Sequence, residues 1–278
     1  MKRIRILSLF LIIALSLISC SKKEKDTMNT SNTEIKAIEK SEQSTPTPEP
    51  TPTSIPTPTP EPTPTEAPEM DYTGKKLVAL TFDDGPNLDT TPLVLDKLEE
   101  HGVVATFFLI GRNVTEDTKP VMERQLELGC EIANHSWSHS YMNQMTAEEI
   151  KEEIEKTNNI INEMVGVTPM FFRPPYIATS PTMYEAIDLP FINGINCMDW
   201  DPSVSPEDRA KGILDNIKDG DIVLLHDFSG NINTVEALDA IIQGLLDDGY
   251  ALVTLSKLFE LKGVDPNVEN KLWTNTNW

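Results

Sequence analysis

The sequence is poor in positive charge. Its 278 residues include 23 lysines and arginines against 44 aspartates and glutamates, so the formal net charge is -21. A chain this acidic repels phosphate backbones, and we therefore expect no nucleic-acid partner. A neutral polymer is compatible with the charge, which by itself selects no ligand.

Cysteine is scarce as well, with three residues in the whole chain: Cys20, Cys130 and Cys197. So few cysteines exclude a disulfide framework. Cys20 lies in the N-terminal segment, and we interpret the other two as small buried residues. A single bridge between Cys130 and Cys197 is the alternative.

The N-terminal apolar run, residues 6–18, is too short for a stable membrane span. It follows the basic start MKRIR in the layout of an export signal. The next residues, LISC at 17–20, resemble a bacterial lipobox, which implies cleavage before Cys20 and lipid attachment to its thiol; an ordinary signal peptide is the alternative. We expect an exported protein, lipid-anchored at the extracellular face of a bacterial membrane.

Proline recurs at every second or third position over residues 44–69. Such a series lacks backbone donors and favours extended polyproline II, so we interpret it as a semi-rigid spacer. A proline-rich ligand for a partner module is the rival interpretation. The predicted organisation is a signal peptide over 1–19, a lipidated N-terminus and linker over 20–73, a large folded domain over 74–262 and a tail over 263–278.

Apolar runs alternate with amphipathic stretches after residue 72. The predicted strands are residues 77–82, 104–110, 131–134, 170–173, 191–196, 222–226 and 251–254. The predicted helices are residues 92–100, 119–128, 147–165, 206–217 and 234–248. Alternation of strands and helices favours an α/β fold with a parallel sheet, either a barrel or a doubly wound sheet. Both architectures place their chemistry at the carboxyl ends of strands.

Polar residues cluster at or just beyond five of those predicted strand ends. Two adjacent acids follow the first strand, a pair of histidines follows the third, and further polar clusters follow three later strands. The residues are Asp83, Asp84, His135, His139, Arg173, Tyr176, Asp199, Trp200 and His226. Three of the four histidines of the chain belong to this set. We therefore predict one polar site at these strand ends.

The spacing of His135 and His139 suits a divalent metal ion, because residues four apart can present both imidazoles to one point. One carboxylate would complete a set of two histidines and an acid with open positions, suited to zinc, cobalt, nickel, manganese or iron. The two adjacent acids then divide two tasks, since one binds the metal and the other accepts a proton from water. A histidine such as His226 suits proton transfer to the leaving group.

Five ordered motifs carry a resemblance to a known family. TFDDGP, HSWSH, RPPY, DW and LLH occur in this order within residues 74–260. They are similar to the motifs of the polysaccharide deacetylase family, which is carbohydrate esterase family 4 with the NodB homology domain. The resemblance implies a distorted (β/α)7 barrel as the catalytic domain and metal-dependent removal of acetyl groups from glycans.

The resemblance also implies roles for the acids and histidines. Asp83 resembles the catalytic base, and Arg173 resembles the arginine that pairs with it. Asp84, His135 and His139 resemble the ligands of one divalent metal ion, zinc in the first place, with cobalt, nickel or manganese as alternatives.

The remaining motif residues resemble the substrate-facing part of the site. The Tyr176 N-H resembles an oxyanion donor, and His226 resembles the general acid. Asp199 resembles the carboxylate that orients His226, while Trp200 and Leu224 resemble the walls of a small acetyl pocket. The fourth motif departs from the fuller family pattern in NCMDWD, residues 196–201, so Asp201 remains an alternative partner of His226.

The acetylated polysaccharide remains open at this point. A surface anchor behind a spacer favours N-acetylglucosamine residues of peptidoglycan, or of chitin-like oligomers. The residues NCMDW also resemble the fourth-motif region of some family members that deacetylate xylan, so an acetylxylan esterase is the alternative. Two other classes stay open: a non-haem iron oxygenase, and a glycan-binding lipoprotein without catalysis. Trp273 and Trp278 in the tail either pack on the barrel or stack on sugars.

Overall fold

The structure is a computed structural model that describes residues 71–277. The expected signal peptide, the lipidated Cys20 and the proline-rich segment lie outside these residues, as does Trp278. Between residues 71 and 277, no helix has the length and apolar character needed to cross a membrane.

Strands alternate with helices along most of the described chain. The strands are β1 (Lys76–Asp83), β2 (Thr106–Leu109), β3 (Glu131–Asn134), β4 (Phe191–Ile192), β5 (Asp221–His226), β6 (Tyr250–Leu252) and β7 (Leu272–Trp273). The helices are α1 (Thr91–His101), α2 (Lys119–Glu127), α3 (Ala147–Val165), α4 (Pro181–Ala186), α5 (Pro206–Leu214), α6 (Ile232–Asp247) and α7 (Leu255–Lys262).

The strands are parallel and close into a ring. The main sheet has the order β3-β2-β1-β5, and β6 also pairs with β1. β4 pairs with β7. Two short connections join these sheets: Phe172 bridges Asn134 at the end of β3 to Phe191 in β4, and Ile195 bridges to Val223 in β5. This arrangement is the distorted α/β barrel that the resemblance implies.

The distortion has a local cause in the predicted strand 170–173. Only Phe172 forms ladder bridges there. Pro169 and Pro174 flank the segment, and proline lacks the N-H that a continuing ladder requires. The fourth wall of the barrel is therefore a single pairing residue rather than a full strand.

Alternate residues of β1 face opposite sides of the barrel wall. Val78 and Leu80 pack against the surrounding helices, whereas Leu77 packs with the inner apolar cluster. Asp83 has the same parity as Leu77 and is 2% exposed. The alternation in LVALTFD thus brings the Asp83 carboxylate inside the barrel at its carboxyl end.

Helix α7 and strand β7 contribute to the inner cluster near the strand starts. Trp273 is fully buried there, with its ring edge against Phe259 at a centroid distance of 5.2 Å. Its indole N-H donates to the Pro266 carbonyl over 2.9 Å. Trp273 therefore packs within the domain and is not available to stack on sugars.

The two cysteines of the domain are not bridged to each other. Cys130 is buried and Cys197 is half-buried. Burial raises the pKa of the Cys130 thiol to about 11, and burial together with Asp199 raises that of Cys197 to about 12. Both are protonated thiols at neutral pH. The prediction of a small buried residue holds for Cys130, whereas Cys197 is only half-buried.

Candidate active site

The loops at the strand ends hold several residues in left-handed conformations. Six of the seven non-glycine residues with positive φ among residues 71–277 lie in these loops, including Asp84 at 78°, His139 at 56° and Tyr176 at 59°. Each such conformation costs of order 1–3 kcal/mol and persists where the surroundings fix it, as is common at functional sites. The backbone therefore marks the same loops as the sequence motifs.

Arg173 holds the Asp83 carboxylate at the barrel mouth. Its Nη1 donates to Asp83 Oδ1 over 2.6 Å and to Thr81 Oγ1 over 2.8 Å, and its Nη2 donates to the Asn193 carbonyl over 2.7 Å. The guanidinium also lies 4.1 Å from the centroid of the Phe108 ring. Because both members of this ion pair are buried, the charge-assisted hydrogen bond fixes the carboxylate in one orientation.

Asp84 lies beside the two motif histidines. Its Oδ1 is 3.5 Å from His135 Nε2 and 3.3 Å from His139 Nε2. The three side chains each offer one ligand atom, and these atoms lie within 4.8 Å of one another. Asp84 Oδ1 is buried and accepts no hydrogen bond from the described residues. An unpaired buried carboxylate oxygen between two imidazoles fits a cation.

The charges of this cluster also fit a cation. Burial opposes ionisation of Asp84, but the neighbouring histidines lower its pKa to about 2. Burial and His135 lower the pKa of His139 to about 4, so its ring is neutral at pH 7. Burial opposes protonation of His135, whereas Asp83 and Asp84 raise its pKa. A divalent cation at this cluster would therefore have to displace a proton from His135 Nε2.

One hydrogen bond at the opposite ring nitrogen orients His135. Its Nδ1 lies 2.8 Å from the Arg173 carbonyl, which can only accept, so Nδ1 carries the proton and Nε2 faces Asp84. The Ser136 N-H donates to the Asn134 side chain over 2.7 Å. These contacts tie the HSWSH loop to the end of β3.

Helix α3 supports the same loop through Glu153, which sequence reasoning missed. Its Oε2 accepts the Trp137 N-H over 3.0 Å and the Ser138 N-H over 2.8 Å. Lys156, one turn further along α3, lies 4.0 Å from the centroid of the Trp137 ring. Glu153 belongs to an acidic helix face, and nothing in its local sequence distinguishes it from a solvated residue.

Asp199, and not Asp201, contacts His226. Asp199 Oδ1 lies 2.8 Å from His226 Nδ1, and its Oδ2 accepts the His226 N-H over 2.7 Å. Asp201 instead accepts hydrogen bonds from the nearby Ser203. Burial lowers the pKa of His226, but the Asp199 carboxylate outweighs it and raises the value to about 9. His226 is therefore protonated at neutral pH.

A buried network that the sequence did not reveal supports Asp199. Thr234 Oγ1 donates to Asp199 Oδ2 over 2.9 Å. Arg209, 1% exposed, donates to Thr234 Oγ1 and to Asn231 Oδ1 over 2.7 Å each. It also donates to the Asp201 carbonyl over 2.9 Å. Arg209 thereby fixes the loop that carries Asp199 against helix α6.

The predicted substrate-facing residues lie around these groups. Leu224 is buried two residues before His226 on the same face of β5. The half-exposed Trp200 places its ring edge toward His226 at a centroid distance of 5.7 Å. The turn at Tyr176 is closed by the N-H groups of Ile177 and Ala178. Tyr176 directly precedes these two donors in the chain and follows Arg173 by three residues.

One further carboxyl, Asp227, lies beneath the site and received no predicted role. It is fully buried, its Oδ2 accepts from Thr91 Oγ1 over 2.5 Å, and its Oδ1 has no partner among the described residues. Burial, together with Asp84 and Asp83, raises its pKa to about 7. Its Oδ2 would lie 2.7 Å from a Cβ at Gly85. Any larger residue at that position of TFDDGP would therefore have to displace the buried Asp227 carboxyl group.

Comparisons with known proteins identify relatives. The family model for polysaccharide deacetylase matches residues 71–190. A bifunctional xylanase/deacetylase from Pseudobutyrivibrio xylanivorans is 53% identical over 201 residues, which are 72% of this chain and 33% of that protein. This chain thus spans about a third of the length of that relative.

Two further relatives match this chain over most of their own length. The structure of a family 4 acetyl xylan esterase from Clostridium thermocellum in complex with a cobalt ion is 45% identical with a TM-score of 0.71, and the match covers 73% of this chain and 100% of that one. A peptidoglycan-N-acetylglucosamine deacetylase from Bacillus cereus is 37% identical over 192 residues, covering 67% of this chain and 69% of that protein.

Proposed function

The chain belongs to the polysaccharide deacetylase family, and we propose that it is a metal-dependent carbohydrate deacetylase that removes O-acetyl groups from xylan. The observation that carries the activity is the Arg173-bound Asp83 carboxylate beside the cluster of Asp84, His135 and His139. The chain is 53% identical to the bifunctional xylanase/deacetylase and 45% identical to the acetyl xylan esterase, but 37% identical to the peptidoglycan deacetylase. This difference in identity supports xylan as the substrate.

The proposed metal ligands are Asp84, His135 and His139, because they form a compact set of ionised and neutral donors. A divalent cation held there would act as a Lewis acid toward the acetyl carbonyl. Zinc is the first proposed ion, and cobalt, nickel and manganese suit the same donors. Metal analysis of the purified protein, followed by removal and reconstitution with each ion, identifies the one that the protein uses.

The protein groups then move two protons and stabilise one developing charge. Asp83, oriented by Arg173, accepts a proton from the attacking water. The Tyr176 N-H donates a hydrogen bond to the developing oxyanion. His226, protonated and held by Asp199, donates a proton to the leaving sugar oxygen as the acyl bond breaks. Trp200 and Leu224 form the walls of the acetyl pocket.

Acetate release from acetylxylan tests this function. The full-length protein is expected to release acetate, to lose the activity after chelation of its metal, and to regain it when metal is restored. Activity that is unaffected by complete metal removal would contradict the metal-dependent assignment. Oxygen consumption without acetate release would instead favour an oxygenase, and glycan binding without acetate release would favour a binding protein.

N-acetylglucosamine polymers are the second candidate substrate. The observation that favours them is the 37% identity to the Bacillus cereus peptidoglycan deacetylase, which spans 69% of that protein. The same assay on peptidoglycan and chitin oligomers separates the candidates. Release from these amide substrates in preference to acetylxylan would reassign the protein to N-deacetylation.

The pH dependence of turnover tests the Asp199–His226 pair. A pKa of about 9 keeps His226 protonated at pH 8, so activity should decline only as the pH rises through about 9. In Asp199→Asn the carboxylate is gone while burial still lowers the pKa. The alkaline limb should therefore move to lower pH, with a loss of kcat at pH 8.

Asp201→Asn is the matched control, because Asp201 contacts Ser203 rather than His226. This variant should keep the wild-type alkaline limb. An unchanged pH profile in Asp199→Asn would exclude Asp199 as the group that raises the pKa of His226.

The Asp199–His226 pair also predicts a pH-dependent stability. Its contribution to folding is fully present below about pH 6.5 and is lost as the pH rises through about 9.

We further propose that the protein is exported and lipid-anchored through Cys20, in support of which stand the basic start, the apolar run and the LISC sequence. In a bacterial host, Cys20→Ala should abolish labelling by radioactive fatty acid and move the protein from the membrane fraction to the soluble exported fraction. Cys197→Ala is the control and should remain labelled. Continued lipid labelling of Cys20→Ala would disprove the anchor.

A further inference from the structure

The aromatic side chains at the site mouth form a row that leads away from the cluster of Asp84, His135 and His139. The Tyr176 ring lies against the His139 ring at a centroid distance of 4.7 Å. The Tyr141 ring then stacks on Tyr176 at 4.1 Å, with an angle of 17° between the rings. Tyr141 is thus the outermost member of the row His139, Tyr176, Tyr141.

Both tyrosines are strongly exposed although they stack on each other. Tyr141 is 51% exposed and Tyr176 is 54% exposed. Two large rings held together in water leave apolar surface uncovered beside the site. A pair of this kind offers an apolar face with hydroxyl groups at its edge, which suits a ring that is itself apolar on its faces and polar at its edge.

The backbone around the two tyrosines places their rings close enough to stack. Tyr176 and Ile177 both have positive φ, 59° and 55°, a conformation that persists only where the surroundings impose it. Tyr141 lies between His139 and the buried Met142, which is 1% exposed and packs in a separate apolar cluster with Phe172. The row is therefore a pre-organised surface, and binding to it costs little ordering of the protein.

The location of the row and the net charge of the whole chain limit the ligands that fit it. His139 is a member of the row and also lines a groove together with Asp84 and Phe228. The groove and the tyrosines therefore meet at His139, and a ligand that occupies both must be a polymer. The chain carries a net charge of -21, which disfavours an anionic polymer. A neutral pyranose chain satisfies both conditions.

We propose that the Tyr141–Tyr176 pair is a subsite that binds a pyranose ring of the glycan next to the sugar being deacetylated, and that Tyr141 sets a preference for oligomers over single sugars. This inference rests on the proposed function. It predicts that the energetic gain from Tyr141 appears only when the substrate has a second sugar to place on the pair.

The test compares kcat/KM for acetate release across a chain-length series, from single acetylated sugars to hexamers of acetylated xylose and of N-acetylglucosamine. In the wild type, kcat/KM should rise with chain length. In Tyr141→Ala the rise should shrink by about tenfold, mainly through KM, as expected for the loss of one aromatic stacking contact. Tyr141→Phe keeps the ring and should retain the wild-type preference.

The outcomes separate this subsite from the proposed function. A Tyr141→Ala variant with the wild-type chain-length preference on both series would overturn the subsite while leaving the deacetylase in place, as would a wild type without any such preference. If neither the wild type nor the Tyr141 variants release acetate, calorimetry measures their binding of xylohexaose and N-acetylchitohexaose instead. Tyr141-dependent binding there supports the subsite and overturns the activity, and Tyr141-independent binding, or none, overturns the subsite.

Discussion

The Asp83→Asn variant is expected to turn over about 10²–10⁴-fold more slowly than the wild type, which is the usual contribution of a positioned general base. An amide cannot accept the proton that a carboxylate accepts, whereas its oxygen can still accept the 2.6 Å hydrogen bond from Arg173. The proposed ligands Asp84, His135 and His139 are unchanged. We therefore expect wild-type metal content and little activity. Because the change leaves the buried Arg173 without a charged partner, it also lowers stability, and thermal unfolding must show that the variant is folded under the assay conditions.

Asp84→Asn is the matched control, because it makes the same chemical change at the neighbouring residue. Asp84 Oδ1 is the buried oxygen between the two histidines, so this variant should lose metal as well as activity. Metal content by elemental analysis and kcat with saturating metal distinguish the two carboxylates. Full activity in Asp83→Asn, or equal metal loss in both variants, would refute the proposed division of labour.

The contact between these acids and the histidines was predictable because it follows from the direction of the strands. The predicted strand at residues 131–134 matches β3, and the predicted end of β1 lies within one residue of Asp83. In a parallel barrel, both strand ends meet at one rim. Residues that follow them in sequence, such as His135, are therefore neighbours in space.

Two helices were not predicted, although each has a sequence signal at its start. The Ser180 side chain caps α4 by accepting the Met183 N-H, and the Thr254 side chain caps α7 by accepting the Lys257 N-H. These helices have six and eight residues. Segments that short contain too few turns for an apolar period of 3.6 residues to be recognised.

The supporting residues of the site were unpredictable for a different reason. Arg209 lies in the charged sequence PEDRAK, which is typical of a solvated helix, yet it is 1% exposed. Its partners are Asn231, which directly precedes α6, and Thr234, which lies on α6, more than twenty residues further along the chain. Only the packing of α5 against α6 brings them together, and no local pattern encodes that packing.

The His135→Ala variant is expected to lose metal and activity together. His135 supplies one of the three proposed ligand atoms, and even residues that merely support a ligand typically contribute 10- to 100-fold to affinity. We therefore expect metal affinity to fall by more than about 100-fold. Titration of the metal-free protein with Co²⁺, followed by its visible absorption and by calorimetry, measures this loss independently of turnover.

His101→Ala provides the control for a histidine outside the site, since His101 lies on α1 and contacts Asp239 on α6. It should bind Co²⁺ as the wild type does.

His135 is buried and hydrogen-bonded to the Arg173 carbonyl, so its loss also lowers stability. Thermal unfolding must therefore show that His135→Ala is folded at the temperature of the titration. A folded His135→Ala protein with wild-type Co²⁺ affinity would place the metal elsewhere. Lost affinity in His135→Ala together with retained affinity in Asp83→Asn would separate binding the metal from accepting the proton. The two roles would then belong to different residues although His135 Nε2 and Asp83 Oδ2 lie only 3.7 Å apart.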